Sequence, residues 1–216
     1  MLHRLFESNT ILNQFVAELR DVSIQKDRMR FRRNLERLGE ICAYEISKYL
    51  SYSEKEVETP LGIAKTMLPD DRIILATILR AGLPIHNGLL NFFDNADNAF
   101  ISPYRQHHKD GTFEIKMQYI TCPNVDNSIL VISDPMLATG ASMQQTIQAV
   151  MEYGTPKQIH IVTAIASTNG LNYINRHYPN AHIWVAGEDE ELTAKSYIVP
   201  GLGDAGDLAY GSKLQE

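Results

Sequence analysis

Cysteine is nearly missing from this chain of 216 residues. Only Cys42 and Cys122 occur, far apart and outside any C-x-x-C pair. That excludes a disulfide framework and zinc-ligand spacing, and reads as two packed free thiols in a reducing compartment. No apolar run reaches the roughly 18 residues a bilayer span needs. The opening "MLHRLFESNT" lacks the apolar core of a signal peptide, so a cytoplasmic protein without membrane attachment is expected. An excess of basic charge is lacking too. The net charge is −6, which gives no overall attraction to nucleic acid or anionic membrane. Any phosphorylated ligand must therefore be gripped locally. There is no repeat and no low-complexity tract. Neither G-x-x-x-x-G-K-[ST] nor G-x-G-x-x-G is found, which removes the P-loop and the dinucleotide fingerprint.

What is present is an ordinary globular composition, 44% hydrophobic and 21% charged. The first third reads as helical. Leu35, Leu38, Cys42, Ile46 and Tyr49 recur at spacings of three and four, which predicts one apolar helix face. The basic cluster "KDRMRFRR" opens that helix and reads as a solvated face, because acids follow closely and aromatics are not interleaved. Val57 and Ile63–Thr66 flank Pro60-Leu61-Gly62, which predicts a hairpin outside the core, of the kind that serves as a dimer arm. From Arg72 onward, apolar runs ("RIILATIL", "AFISPY", "SILVIS", "QIHIVTAIA", "AHIWVA") alternate with helical patterns, and "FEIKMQYIT" alternates as a strand. The expected fold is α/β: a mostly parallel sheet with helices on both faces, an N-terminal helical segment and a β-hairpin arm. Residues 1–70 form the helices and arm, 71–196 the core, and 197–216 a C-terminal loop and tail. In such sheets ligands bind beyond the carboxyl ends of the strands.

The stretch "SILVISDPMLATGAS" carries a buried strand into Asp134, a proline and a run of small residues. Gly140 permits close backbone approach, Thr139 and Ser142 supply hydroxyls, and the helix that follows offers unpaired amides to an anion. The loop suits a phosphate, and Asp134 just before it suits sugar hydroxyls. The purely structural alternative is that Thr139 or Ser142 only caps the helix. His107 and His108 read as an exposed pair and not as metal ligands.

"ILVISDPMLATGAS" resembles the phosphoribosyl-diphosphate (PRPP) motif of type I phosphoribosyltransferases. More narrowly, it resembles the uracil branch, where proline replaces the usual second acid. "TILRAGLPI", "PYRQ", "YIVPGLGDAGDLAYG" and "LRDVSIQKDRMRFRRNLERLGEICAYEI" are similar to further segments of that branch, in the right order and over most of the chain. The resemblance implies an enzyme joining uracil to PRPP to give UMP and diphosphate, with Mg2+ carried mainly on PRPP, as a homodimer or higher homo-oligomer. A PRPP-sensing regulator of the same fold, or a transferase for another base, is the alternative.

The implied PRPP site is Asp134, Pro135, Met136, Leu137, Ala138, Thr139, Gly140, Ala141 and Ser142, with Asp134 on the ribose and Ala138–Ser142 around the 5′-phosphate. Arg80, with the backbone of "RAGL", would bind the diphosphate, and Arg105 would add charge to it. Asp204 would face PRPP and its magnesium, and with the two arginines forms the implied catalytic set. Ile198, Gly203, Asp204 and Ala205 would hold uracil. Arg105–Thr112 would be a hood closing over PRPP. Two departures stand out: Gln106-His107-His108 replaces Asn-Glu-Glu, and Gly140-Ala141-Ser142 replaces Gly-Gly-Ser.

Overall fold

The computed structural model describes residues 1–107 and 113–213, and for 104–107 and 113–118 the backbone alone. An eight-stranded sheet forms the centre, in the order β1-β10-β9-β7-β4-β5-β6, with β8 attached to β9. Its strands are β1 (Leu2–Arg4), β4 (Ile73–Ile78), β5 (Asp97–His107), β6 (Phe113–Thr121), β7 (Ile129–Ser133), β8 (Met136–Leu137), β9 (Gln158–Ser167) and β10 (His182–Asp189). Every pairing is parallel except β5 with β6. The hairpin β2 (Tyr52–Thr59) and β3 (Gly62–Pro69) stands apart, and so does the short pair β11 (Glu191–Leu192) and β12 (Ile198–Val199).

Alternation along the central strands sorts the core into two layers. Leu75, Ile129, Val131 and Val162 face α1 (Ile11–Arg20), α2 (Arg28–Ser47), α3 (Leu83–Leu90) and α6 (Ala205–Tyr210). Ile74, Ala76, Leu130, Ile132 and Ile161 face α4 (Ala141–Met151) and α5 (Thr168–His177). The expected helices on both faces are therefore found. A strand buried on both sides has no polar side, which is why these runs read as continuous apolar segments.

The helix face read from the sequence holds for Leu35, Leu38, Cys42 and Ile46, each at most 1% exposed. Burial of each contributes about 2 kcal/mol. Tyr49 departs from it. The helix stops at Ser47, and Tyr49 lies beyond it, edge-on to His3, His182 and Trp184. The N-terminal strand β1 carried too few residues for a periodic signal. It adds to the sheet edge at β10 through Leu2↔Ile183 and His3↔Trp184.

Two glycines set where α2 meets α3. A Cβ on Gly39 would stand 3.1 Å from Gly88 Cα and overlap the Ile85 carbonyl, and one on Gly88 would overlap the backbone at Glu36. The two helices cross backbone on backbone. This contact places α3, and hence the turn that follows β4, at the carboxyl end of the sheet.

Candidate active site

Strand β7 delivers Asp134 to the sheet's carboxyl edge. Its amide donates to the Val162 carbonyl (3.1 Å), and the next carbonyl, of Pro135, accepts from Ile165 (2.9 Å). Pro135 brings no amide that would need a partner. Met136 and Leu137 then pair with β9. The Asp134 carboxylate accepts the Met136 amide (3.3 Å) and is otherwise enclosed, with a partly exposed edge toward the cleft described below. Loss of water pushes its pKa up to about 7, against a smaller opposing effect of that amide.

Gly140 follows at φ 84°, a left-handed conformation that opens α4. A Cβ there would meet Tyr173 Cδ1 at 2.8 Å. Thr139 Oγ1 accepts only weakly from the Ala141 amide (3.4 Å). Among the described residues the amides of Ser142 and Met143 have no protein acceptor. The cap is thus a bare glycine with free donors, as an anion site requires. Ser167 fixes the cradle from behind: its hydroxyl donates to the Ala138 carbonyl (2.5 Å) and accepts from the Gly170 amide (2.9 Å).

The turn after β4 lies beside this loop. It contains a cis peptide between Leu79 and Arg80. Gly82 is packed so closely that a Cβ would fall 2.5 Å from the Ser133 carbonyl. Ser133 Oγ reaches the Ala76 carbonyl at 3.3 Å and the Gly82 carbonyl at 3.5 Å, tying the two loops together. Arg80 is exposed, and its Nη2 donates to Asp207 Oδ1 (3.2 Å) and the Gly211 carbonyl (3.1 Å). Arg80 Nη2 and Asp204 Oδ1 flank Gly206, 3.8 and 3.2 Å from where a Cβ would stand.

The third wall is the C-terminal loop. Val199-Pro200 is cis, and Gly201 and Gly203 have φ of 58° and 94°. A Cβ on Gly203 would meet nothing within 4 Å, so that backbone is open to a ligand. Asp204 accepts the Asp207 amide (2.9 Å) and caps α6.

These loops enclose a cleft of about 240 Å³. Of the residues proposed from sequence, Asp134, Met136, Leu137, Ala138, Thr139, Gly140, Ser142, Ile198, Gly203, Asp204 and Ala205 line it. Pro135 and Ala141 hold the loop without lining the cleft, and Arg80 reaches its rim through α6. The side chain of Arg105 lies outside the described residues, as do His108 to Thr112 of the expected hood. Sequence reading missed Met143, Ser196, Tyr197 and Gly206 as lining residues, whereas Ala81 belongs to the "RAGL" backbone expected at the diphosphate. Ser196 has φ 63°, which a serine does not advertise. Tyr197 and Gly206 lie inside the matched C-terminal segment and carried no separate signal.

The family model described as uracil phosphoribosyltransferase matches residues 6–212. A uracil phosphoribosyltransferase of Porphyromonas gingivalis is 53% identical over 207 residues, 95% of this chain and 96% of that protein. One of Thermococcus gammatolerans is 38% identical over 213 residues, 97% and 93% of the two chains. A solved protein of Aquifex aeolicus superposes with a TM-score of 0.88 at 32% identity, covering 99% of this chain and 100% of that one. A hypoxanthine phosphoribosyltransferase of Staphylococcus aureus shares the fold, with a TM-score of 0.50 at 11% identity over 85% and 83%. With its length matched almost end to end, the chain belongs to the uracil phosphoribosyltransferase family.

Proposed function

We propose that this protein transfers the phosphoribosyl group of PRPP to uracil, giving UMP and diphosphate. The bond from ribose C1′ to the diphosphate oxygen breaks, the bond from C1′ to uracil N1 forms, and the N1 proton of uracil passes to solvent water. The observation that carries the reading is the cleft itself. An acid followed by a bare helix start lies on one wall, and an open glycine backbone lies on the facing wall.

In this reading the amides of Ser142 and Met143, with the Thr139 hydroxyl, hold the 5′-phosphate. Asp134 accepts hydrogen bonds from the ribose hydroxyls and so fixes C1′ toward the opposite wall. Uracil sets its edge against Gly203–Ala205 and Ile198, where main-chain donors and acceptors are offered to its two carbonyls and its N3–H while N1 faces C1′. Arg80, at the rim, is the cation for the departing diphosphate, and Arg105 is assigned the same partner.

The residues also fit a magnesium ion that arrives on the substrate. Among the described residues no three His, Cys, Asp or Glu converge, so a cage made by the protein alone is not available there. Magnesium keeps several waters and takes one or two carboxylates plus substrate phosphates. Exposed Asp204, with one oxygen on the Asp207 amide, is the carboxylate that would face it. When bound, the ion offsets charge on the leaving diphosphate.

Two wider readings accompany this one. No helix among the described residues is long and apolar enough to cross a membrane, and we read the protein as cytoplasmic. The hairpin exposes Leu61 (99%), Ile63 (68%) and Met67 (56%), and we assign it to a homodimer contact.

The test is turnover of uracil with PRPP and Mg2+, following UMP. Arg80→Ala and Asp204→Asn each cripple turnover while the circular dichroism spectrum is kept. Tight PRPP binding without UMP would make the protein a sensor of the same fold, and near-normal turnover in both variants would sink the site assignment.

A further inference from the structure

The C-terminal loop does not hold its own shape. Three backbone groups of its stem, the Gly201 amide and carbonyl and the Leu202 carbonyl, are tied to side chains from elsewhere in the sequence. Arg20, at the end of α1, makes a two-pronged ion pair with Asp189 at the end of β10, Nη1 to Oδ2 at 2.8 Å and Nη2 to Oδ1 at 2.9 Å. The Asp189 side chain is 7% exposed and that of Arg20 25%, so the carboxylate is shielded while the guanidinium keeps one edge in water. The same two groups grip one residue of the loop from both sides. Arg20 Nη1 donates to the Gly201 carbonyl (3.0 Å), and the Gly201 amide donates to Asp189 Oδ2 (2.9 Å). Gln25 then donates to the Leu202 carbonyl (3.2 Å), and is itself fixed on the Leu19 and Arg20 carbonyls (2.9 and 3.2 Å). The next residue is Gly203, where the open wall of the cleft begins.

Strand β10 makes room for this device. A Cβ on Gly187 would stand 3.0 Å from Arg20 Nη2 and 2.9 Å from Ile165 Cδ1, so a side chain there would displace the guanidinium. A glycine inside a buried strand weakens it, and here the gap is filled by the arginine. A pair that served stability alone would need neither the fork onto Gly201 nor the gap, and buried ion pairs are weak stabilisers in any case.

We infer that Arg20 and Asp189, seconded by Gln25, are positioning residues for uracil: they set the height and tilt of the Gly203–Ala205 backbone against which the base lies. The inference rests on reading that loop as the uracil site. It assigns no contact between these side chains and substrate. Their effect is carried through Gly201 and Leu202, and it falls on the base more than on PRPP, whose ribose and 5′-phosphate lie on β7 and α4 and whose link to this loop, Asp204, is held separately by the Asp207 amide.

The test compares Arg20→Met, Asp189→Leu and the double variant, with Ala205→Val as a direct block of the wall. Removing one partner leaves a buried charge unpaired and lowers Tm, whereas the double variant removes both and recovers stability over the single variants. Uracil KM nonetheless stays raised about tenfold or more in the double variant, with PRPP KM within about twofold of wild type and kcat at saturating uracil largely kept. Arg20→Lys, which keeps the charge but not the fork, falls between. Gln25→Met gives a smaller rise of the same kind in a variant with no buried charge to strand. A uracil KM within about twofold of wild type in the folded variants, while Ala205→Val raises it, would overturn the inference and leave the uracil site standing. Uracil and PRPP KM rising together in step with lost Tm would also overturn it. If Ala205→Val leaves uracil KM unchanged, the loop is not the uracil wall and the inference goes with it.

Discussion

Burial pushes the Asp134 carboxyl up to about 7 from an ordinary 3.8. That shift makes it a source of pH dependence that can be isolated with one substitution. A carboxyl whose folded pKa is raised keeps its proton in the folded state between about pH 4 and 7, while the unfolded chain has already released it. Stability from this group therefore falls as pH rises through that window and is level above it. The gap between the unfolded and folded values corresponds to about 4 kcal/mol. Asp134 keeps an edge open to the cleft, so about half of that, ~2 kcal/mol, is the expected effect. Asp134→Asn has the same shape and does not ionise. In urea unfolding between pH 4 and 8.5, the difference in stability between variant and wild type starts near zero and climbs by about 2 kcal/mol, with the variant more stable at high pH. The same variant loses the charge-assisted bonds to ribose, and kcat/KM for PRPP falls roughly 100-fold, equivalent to about 3 kcal/mol. A stability difference that is flat with pH would refute the reasoning, whatever happens to activity.

Gly140→Ala places a methyl against Tyr173 and forces a left-handed angle, costing about 1–2 kcal/mol of stability. It raises PRPP KM about tenfold in steady-state assays and leaves uracil KM alone. His160 accepts from Trp184 Nε1, and burial, with His182 next in weight, holds its pKa down at about 3. A histidine depressed in the folded state contributes stability above its unfolded pKa of 6.5 that is lost as pH falls toward 3. His160→Gln removes that loss, and its acid unfolding midpoint, read by tryptophan fluorescence, moves to lower pH. Gly39→Ala gains helix propensity but drives a methyl into the α3 backbone. The net cost is about 2 kcal/mol, seen as a lower Tm.

The α/β layout was readable because apolar runs on strands buried on both faces alternate with helical patterns, as at Ile129–Ser133 followed by α4. The cleft was readable where the chain concentrates unusual residues: Asp134 and Pro135 at a strand end, and glycines around Asp204. What escaped was geometry that residue identity does not encode. Tyr49 kept the helical spacing after the helix had ended at Ser47. Three residues of β1 are too few to show a period. Arg20 and Asp189 look like any surface pair in the sequence, and only the fold brings them together under Gly201. Arg80 was found by its motif, but its bonds to Asp207 and Gly211 depend on where α6 docks.

Side chains at a helix crossing normally act as springs, since a change of rotamer absorbs a small displacement. Where Gly39 meets Gly88 there is no spring. Helix α2, helix α3 and the turn that carries Arg80 therefore behave as one strut, and a shift near Glu36 reaches that turn undamped. Variation that retunes the cleft has little freedom on this side. It is free to act on the opposite wall, where the backbone of Gly203 faces open space.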